Sequence, residues 1–278
     1  MTGARRRLSL DEPAVMGVLN VTPDSFSDGG RYTTRDTAVA RALEMIDNGA
    51  RIIDIGGEST RPGATPVPVE EELARVVPVV EALRETSDVF ISVDTSQAEV
   101  IRASCAAGAD MINDVRGLAE DGALAAVIEA DAAACVMHMQ GRPATMQAEP
   151  RYADVIGEVS AYLHERVAAC RAAGMTLERL VVDPGFGFGK SLAHNLDLLR
   201  AIGELDIEGR PVLMGVSRKS MFAKLFESDD MGSRINGSLG AAFWAAQRGV
   251  SIIRCHDVRE TAQMVRLARA IVADDPVG

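Results

Sequence analysis

A set of polar residues stands at the ends of short apolar runs of the chain, and their types suit a flat, charged small molecule. Asp183 offers a carboxylate that can accept two parallel N–H bonds from the amidine-like edge of a planar heterocycle. Asn113 can donate and accept on the neighbouring edge, and Lys219 can bond ring oxygen and nitrogen acceptors. Charge-assisted bonds of this kind contribute roughly 1.5–3 kcal/mol each, so three or four hold such a ring in a closed pocket. Arg254, His256 and Asn20 make an anion-binding set, and Asp94 closes a further run. Capping of the following helix explains Ser96 and Asp114 equally well, but it does not explain Lys219 or Arg254. No Ser-His-Asp or Cys-His arrangement is evident. The four cysteines, Cys105, Cys135, Cys170 and Cys255, have neither CxxC nor metal-ligand spacing and read as small buried side chains.

Two glycine-rich loops add to the set. One runs from Asn20 to Gly30 and carries Phe26; the other runs from Gly56 to Gly63 and carries Arg61. Loops of this length on a compact domain are often functional, and these two residue types are poorly suited to bare solvent. The run Asp183-Pro-Gly-Phe-Gly-Phe-Gly-Lys190-Ser191 imitates a phosphate-binding P-loop but has Pro184 where the first glycine must stand. It reads instead as a tight turn that leaves Asp183 at a strand end, its glycines letting backbone approach a flat ligand.

The elements that must position these groups alternate. Apolar, β-branched runs recur at Ala14–Leu19, Arg51–Ile55, Val89–Val93, Met111–Ile112, Ala134–Met137, Leu180–Val182, Val212–Val216 and Ser251–Ile253. Each fits a parallel strand covered on both faces. Helical spacing predicts Thr34–Asn48, Val69–Arg84, Ser96–Ala107, Tyr152–Ala173, Leu192–Ile202, Lys219–Phe226, Gly237–Gln247 and Arg259–Ala273, with a weaker candidate over Glu120–Glu129. Alternation of this kind predicts a single-domain α/β (β/α)8 TIM barrel over residues 1–278, with a doubly wound sheet as the alternative. In such a barrel the strand ends share one rim, and phosphate commonly sits near the seventh and eighth strands. That is where Arg254 and His256 fall.

The formal net charge of -11 argues against nucleic-acid or anionic-membrane partners. No apolar run is long enough to span a bilayer. The opening MTGARRRLSLDEP has no apolar core of a secretory signal; residues 1–12 are expected to be a flexible start, and the chain to be cytoplasmic.

Eight motifs in order make the resemblance plain. Met16–Gly30, Asp54–Gly63, Ser92–Thr95, Ile112–Val115, Met137–Met139, Asp183–Lys190, Gly215–Ser220 and Arg254–Val258 resemble the signatures of dihydropteroate synthases. Cys255 departs from the Val or Thr expected there. The resemblance implies condensation of 6-hydroxymethyl-7,8-dihydropterin diphosphate with para-aminobenzoate, giving dihydropteroate and diphosphate in folate biosynthesis. It implies that Asp94, Asn113, Asp183 and Lys219 hold the pterin. Asn20, Arg254 and His256 would hold the diphosphate, with Asn20 also a Mg²⁺ ligand. Phe26, Thr60, Arg61, Pro62 and Ser220 would surround para-aminobenzoate. Asp94, Lys219 and Arg254 would take the catalytic roles. It further implies a homodimer and sulfonamide sensitivity, since no insertion is visible in the two loops. A noncatalytic pterin-binding paralogue, a corrinoid-type pterin methyltransferase barrel and a Schiff-base aldolase using Lys219 are the rival readings.

Overall fold

The apolar runs become strands with both faces covered, because helices pack outside them and side chains meet inside. In the computed structural model, which describes residues 1–22, 34–59, 67–141, 146 and 150–272, eight strands are found. They are β1 (Ala14–Asn20), β2 (Ile52–Gly56), β3 (Phe90–Asp94), β4 (Met111–Asp114), β5 (Ala133–Met137), β6 (Leu180–Asp183), β7 (Leu213–Met214) and β8 (Ile252–Cys255). All pairings are parallel, in the order β6-β5-β4-β3-β2-β1-β8-β7. A parallel bridge between Val182 and Val212 joins the two edges and closes a (β/α)8 barrel. Closure excludes the doubly wound sheet, whose edges stay open. The seventh strand is shorter than its apolar run; ahead of it, the Pro211 carbonyl accepts from Val182 N at 3.0 Å and the Val212 carbonyl from Ser251 N and Ile252 N at 3.0 and 3.1 Å.

The helices are α1 (Thr34–Asp47), α2 (Val69–Thr86), α3 (Ala98–Ala107), α4 (Ala123–Glu129), α5 (Val155–Ala172), α6 (Leu192–Arg200), α7 (Ser220–Leu225), α8 (Met231–Gln247) and α9 (Val258–Val272). The weak candidate is thus a short helix, α4, and β7 is followed by two helices. Capping sets several starts: the Asp154 side chain accepts from Ile156 and Gly157 N at the head of α5. Asp230 does the same for Ser233 N, so α8 begins ahead of its expected Gly237.

Strand parity divides the core. Residues such as Val15, Ile53, Ile91, Ile112 and Val182 face the helices. Ala14, Met16, Ile52, Phe90, Met111, Ala133, Cys135, Val181, Leu213 and Ile252 form a separate apolar plug inside the barrel. Met1, Leu8 and Leu10 pack against that plug from below. The expectation of a flexible start is therefore corrected. Thr2 and Arg7 form an antiparallel bridge. Thr2 N donates to Glu178 O at 3.0 Å and Ala4 N to Asp110 O at 3.0 Å, and Arg179 donates to Gly3 O at 2.9 Å. Apolar residues at four of the first ten positions, Met1, Ala4, Leu8 and Leu10, give this segment a surface to bury, which its charged flanks conceal.

Candidate active site

Parity also builds the site. Going up the barrel from Ile52, Phe90, Met111, Val181 and Ile252, the next inward positions are polar: Asp54, Ser92 then Asp94, Asn113, Asp183 and Arg254. Register sets Asn20, Gly56, Asp94 and Asn113 side by side. The expected strand-end residues thus share one rim, at the C-terminal mouth.

Arg254 lies at the centre of the rim. Its Nε donates to Asp54 Oδ2 at 2.6 Å and its Nη2 to Asp94 Oδ2 at 2.8 Å. Asn113 Nδ2 donates to the same Asp54 oxygen at 3.0 Å, which leaves Asn113 Oδ1 as an acceptor for a ligand. Burial works against the Arg254 charge, but Asp54 and Asp94 outweigh it and hold the guanidinium more firmly charged than usual. Burial pushes the Asp94 carboxyl up, with Arg254 opposing and Asp54 adding to the rise. Asp54 is fully buried, and its Oδ1 has no hydrogen-bond partner.

Asp183 borders the same centre: a Cβ built on Gly215 would lie 3.9 Å from Arg254 Cβ and 4.0 Å from Asp183 Oδ2. Asp183 Oδ1 accepts from Gly185 N at 2.7 Å. Burial raises its carboxyl, opposed by that N–H and by Lys219. Lys219 Nζ donates to Phe186 O and stands 4.1 Å over the Phe188 ring. Burial lowers Lys219 to about 8, with Asp183 opposing. The turn beneath it is glycine-dependent. Gly185, at φ 69°, would place a Cβ 1.8 Å from His138 O, and Gly189 one 2.4 Å from Gln140 O. What these two glycines approach is the chain after β5, so the expectation that they admit a ligand is replaced by tight packing of one loop on another.

His256 sits beside Ser217, whose Oγ lies 2.9 Å from His256 Nδ1 and accepts from His256 N at 3.1 Å. Between Ser217 and Lys219, Arg218 adopts a left-handed φ of 57° and forks onto Asp257 at 3.0 and 2.5 Å. A non-glycine residue held there is a mark of a constrained site. Ser220 is exposed at the head of α7. Phe26, Thr60, Arg61 and Pro62 lie outside the described residues. Asp114 is a turn-maker: it accepts from Arg116 N and Leu118 N, both at 2.8 Å, and from Ser96.

Reading strand ends reaches Ser217 and Arg218 together with Lys219, but not Asp54 or Asp257, the partner of Arg218. Asp54 had a signal, since it shares parity with Ile52 and interrupts an otherwise apolar strand. Among the described residues no group of three or more His, Cys, Asp or Glu could hold a metal, and no helix is long and apolar enough to cross a membrane.

The profile of the pterin binding enzyme family matches residues 16–256. A dihydropteroate synthase of Escherichia coli K12 is 53% identical over 266 residues, which cover 96% of this chain and 94% of that one. A solved Yersinia pestis dihydropteroate synthase, in complex with a sulfonamide drug, is 49% identical and superposes with a TM-score of 0.92 over 98% of both chains. The Xanthomonas albilineans enzyme in complex with 7,8-dihydropteroate is 46% identical, with a TM-score of 0.89 over 98% of both chains.

Proposed function

The chain belongs to the pterin-binding enzymes and, within them, to the dihydropteroate synthases, and from that premise we propose how its residues divide the work. As a transferase it condenses 6-hydroxymethyl-7,8-dihydropterin diphosphate with para-aminobenzoate to give 7,8-dihydropteroate and diphosphate. The observation that carries the assignment of roles is one linked cluster at the barrel mouth: Asp54, Asp94, Asn113, Asp183 and Arg254, with Lys219 alongside.

Asp183 accepts N–H bonds from the pterin's amidine edge, Asn113 offers its free Oδ1, and Lys219 donates to ring acceptors. The C–O bond between the exocyclic methylene and diphosphate breaks, and its electron pair leaves with diphosphate. Arg254 and His256 meet that developing charge. Asp94, beside Arg254, faces the positive charge that the electron-rich pterin then carries. The arylamine lone pair forms the new C–N bond, and the nitrogen releases a proton. No protein nucleophile takes part.

Mg²⁺ suits this mouth. Two hard oxygens flank Gly56: a Cβ added there would lie 3.8 Å from Asn20 Oδ1 and 4.0 Å from Asp94 Oδ2. Mg²⁺ is commonly bound by one or two protein oxygens with substrate phosphate and water, so a denser ligand cluster is not required. Asn20 would hold it, and its chemistry there is neutralisation of the departing diphosphate.

Phe26, Thr60, Arg61, Pro62 and Ser220 surround para-aminobenzoate, and a sulfonamide competes for that pocket. Two copies of the chain pair through the outer face of the last helices, where Leu267, Ile271 and Val272 are 47%, 60% and 65% exposed. The free, buried cysteines suit a reducing cytoplasm. The test of the reaction is diphosphate release that requires both substrates, with 7,8-dihydropteroate identified as product. Release that ignores para-aminobenzoate would overturn it. Inhibition by a sulfonamide that is competitive with the pterin rather than the amine would misplace the amine pocket.

A further inference from the structure

A second buried ammonium lies behind the pterin cluster. Lys190 is 2% exposed, and its Nζ reaches Gly185 O at 2.9 Å, Phe188 O at 3.1 Å and His138 Nδ1 at 2.9 Å. Burial lowers Lys190 to about 7, with Asp183 opposing; in its ammonium form it has three protons and no lone pair, so all three are used and His138 Nδ1 accepts. With Lys190 charged, His138 is neutral and carries its proton on Nε2. Its burial, and next to it the Lys190 charge, bring it down to about 3. Nothing is left on Lys190 to offer a phosphate, despite its P-loop-like setting.

What Lys190 does hold is the turn after β6. That turn supplies three of the features that shape the pterin pocket. Gly185 N fixes Asp183 Oδ1 at 2.7 Å. Phe186 O accepts from Lys219, and the Phe188 ring lies under the same ammonium. The opposite side of the turn is held by Asn195, whose Oδ1 accepts from Gly187 N at 2.7 Å, and by Tyr152, whose hydroxyl donates to Gly189 O at 2.9 Å. Lys190 supplies a side-chain tie from the turn to the residue after β5, His138, where Gly185 and Gly189 already pack close. Its carbonyl partners bracket Phe186, so the brace and Lys219 grip the same short stretch from two sides.

We infer that Lys190, seated on His138, is a positioning residue that pre-shapes the β6–α6 turn so that Asp183 and Lys219 are already aligned when the pterin arrives. This rests on the pterin reading of the cluster. A brace of this kind acts on the fraction of molecules in which the turn is formed. Apparent affinity falls in proportion to that fraction, while the bound state, once formed, reacts as before. A brace thus differs from a group that touches the reacting atoms, whose loss lowers kcat.

The experiment compares Lys190→Met, His138→Leu and His138→Asn in the diphosphate-release assay. Wild-type turnover in the same assay tests the pterin reading by itself. The expected result is a KM for the pterin diphosphate raised about tenfold in Lys190→Met, with kcat within threefold of wild type, a turn organised roughly a tenth of the time. His138→Leu leaves both carbonyl contacts and should raise KM severalfold. His138→Asn restores an acceptor near the Nδ1 position and should return KM to within twofold of wild type. In ¹⁵N spectra of the histidine ring taken below the Lys190 titration at about 7, wild-type His138 should be the Nε2–H tautomer, and Lys190→Met should give a mixture. Unchanged KM in folded His138→Leu, equal KM values for the two histidine variants, or a loss confined to kcat would each overturn the brace. If Lys190→Met does not fold, the histidine pair decides alone.

Discussion

Replacing Asp54 with asparagine tests the cluster at its hidden centre. Asp54 Oδ2 accepts from both Arg254 Nε, at 2.6 Å, and Asn113 Nδ2, at 3.0 Å. An asparagine can keep its oxygen in the same place, so both bonds survive without the charge. Charge-assisted bonds are roughly twice as strong as neutral ones, and bonds to charged groups contribute roughly 1.5–3 kcal/mol each. Losing half of two such bonds costs about 2 kcal/mol. The new amide would also point at the place of Oδ1, where the structure offers no partner, adding about 1 kcal/mol. For a chain of 278 residues the entropy of unfolding is about 0.6 kcal/mol per kelvin. Asp54→Asn should therefore lower Tm by about 4–6 °C. Activity should fall further, because Arg254, held by a weakened bond to residue 54 and a full charge at Asp94, would lean toward Asp94 and away from the departing diphosphate; kcat/KM should drop about a hundredfold. Scanning calorimetry and diphosphate release measure the two effects. A variant with Tm within 1 °C of wild type and kcat/KM within threefold would refute the idea that Asp54 aims the guanidinium.

Lys219 must be protonated to donate to the pterin, and burial lowers it to about 8. The free enzyme thus loses its competent form as pH rises through about 8, and kcat/KM for the pterin diphosphate should fall tenfold per pH unit above it; a profile flat to pH 9.5 would contradict this. Asp183→Ala and Lys219→Ala should each remove most turnover while circular dichroism stays that of the wild type, and near wild-type kcat/KM in either would dismantle the pterin site. Calorimetry should detect para-aminobenzoate only after diphosphate or the pterin is bound, and excess chelator should stop turnover; tight binding of the amine to the bare protein, or full turnover in chelator, would count against the proposed anion and Mg²⁺ site. Asp257→Asn loosens the fork that holds Arg218 left-handed. Since that pair is partly exposed, stability should change by no more than about 1 kcal/mol, and kcat/KM should fall severalfold as Ser217 and Lys219 shift; an unchanged kcat/KM would make the fork decorative.

The barrel was legible because each strand is buried on both faces and so appears as an apolar run, and each run ends where the polar rim begins. Asn113, Asp183 and Arg254 could be found that way. Asp54 could not, since it lies two residues below the end of its strand, and only inward parity with Ile52 marks it. The shortness of β7 does not show in an apolar count, which runs on from Val212 to Val216. Lys190 looked like half of a P-loop, because a sequence shows which residues neighbour a glycine but not which backbone that glycine touches. His138 was visible as a strand end, yet its partner lies 52 positions away. The packed start of the chain was obscured by its arginines, whose charges stay at the edge while Leu8 and Leu10 turn inward.

That packed start also sets a timetable. Thr2 N finds its backbone partner at Glu178 O, and Gly3 O accepts from the Arg179 side chain. A ribosome adding 5–20 residues per second takes roughly 10–35 s to reach them. Until then the underside of the growing barrel is open, and Met16, Ile52 and Phe90 have no floor. Ala14 waits longer still, for Ile252. The first residues made are thus among the last to be placed, and the nascent chain must keep an apolar throat from meeting other chains during most of its synthesis. Slow translation before Arg179 would lengthen the danger for the floor, and slow translation beyond it would lengthen the danger for the seam between β1 and β8, so a chaperone that holds the emerging half-barrel should raise the yield of folded protein most when synthesis is slow.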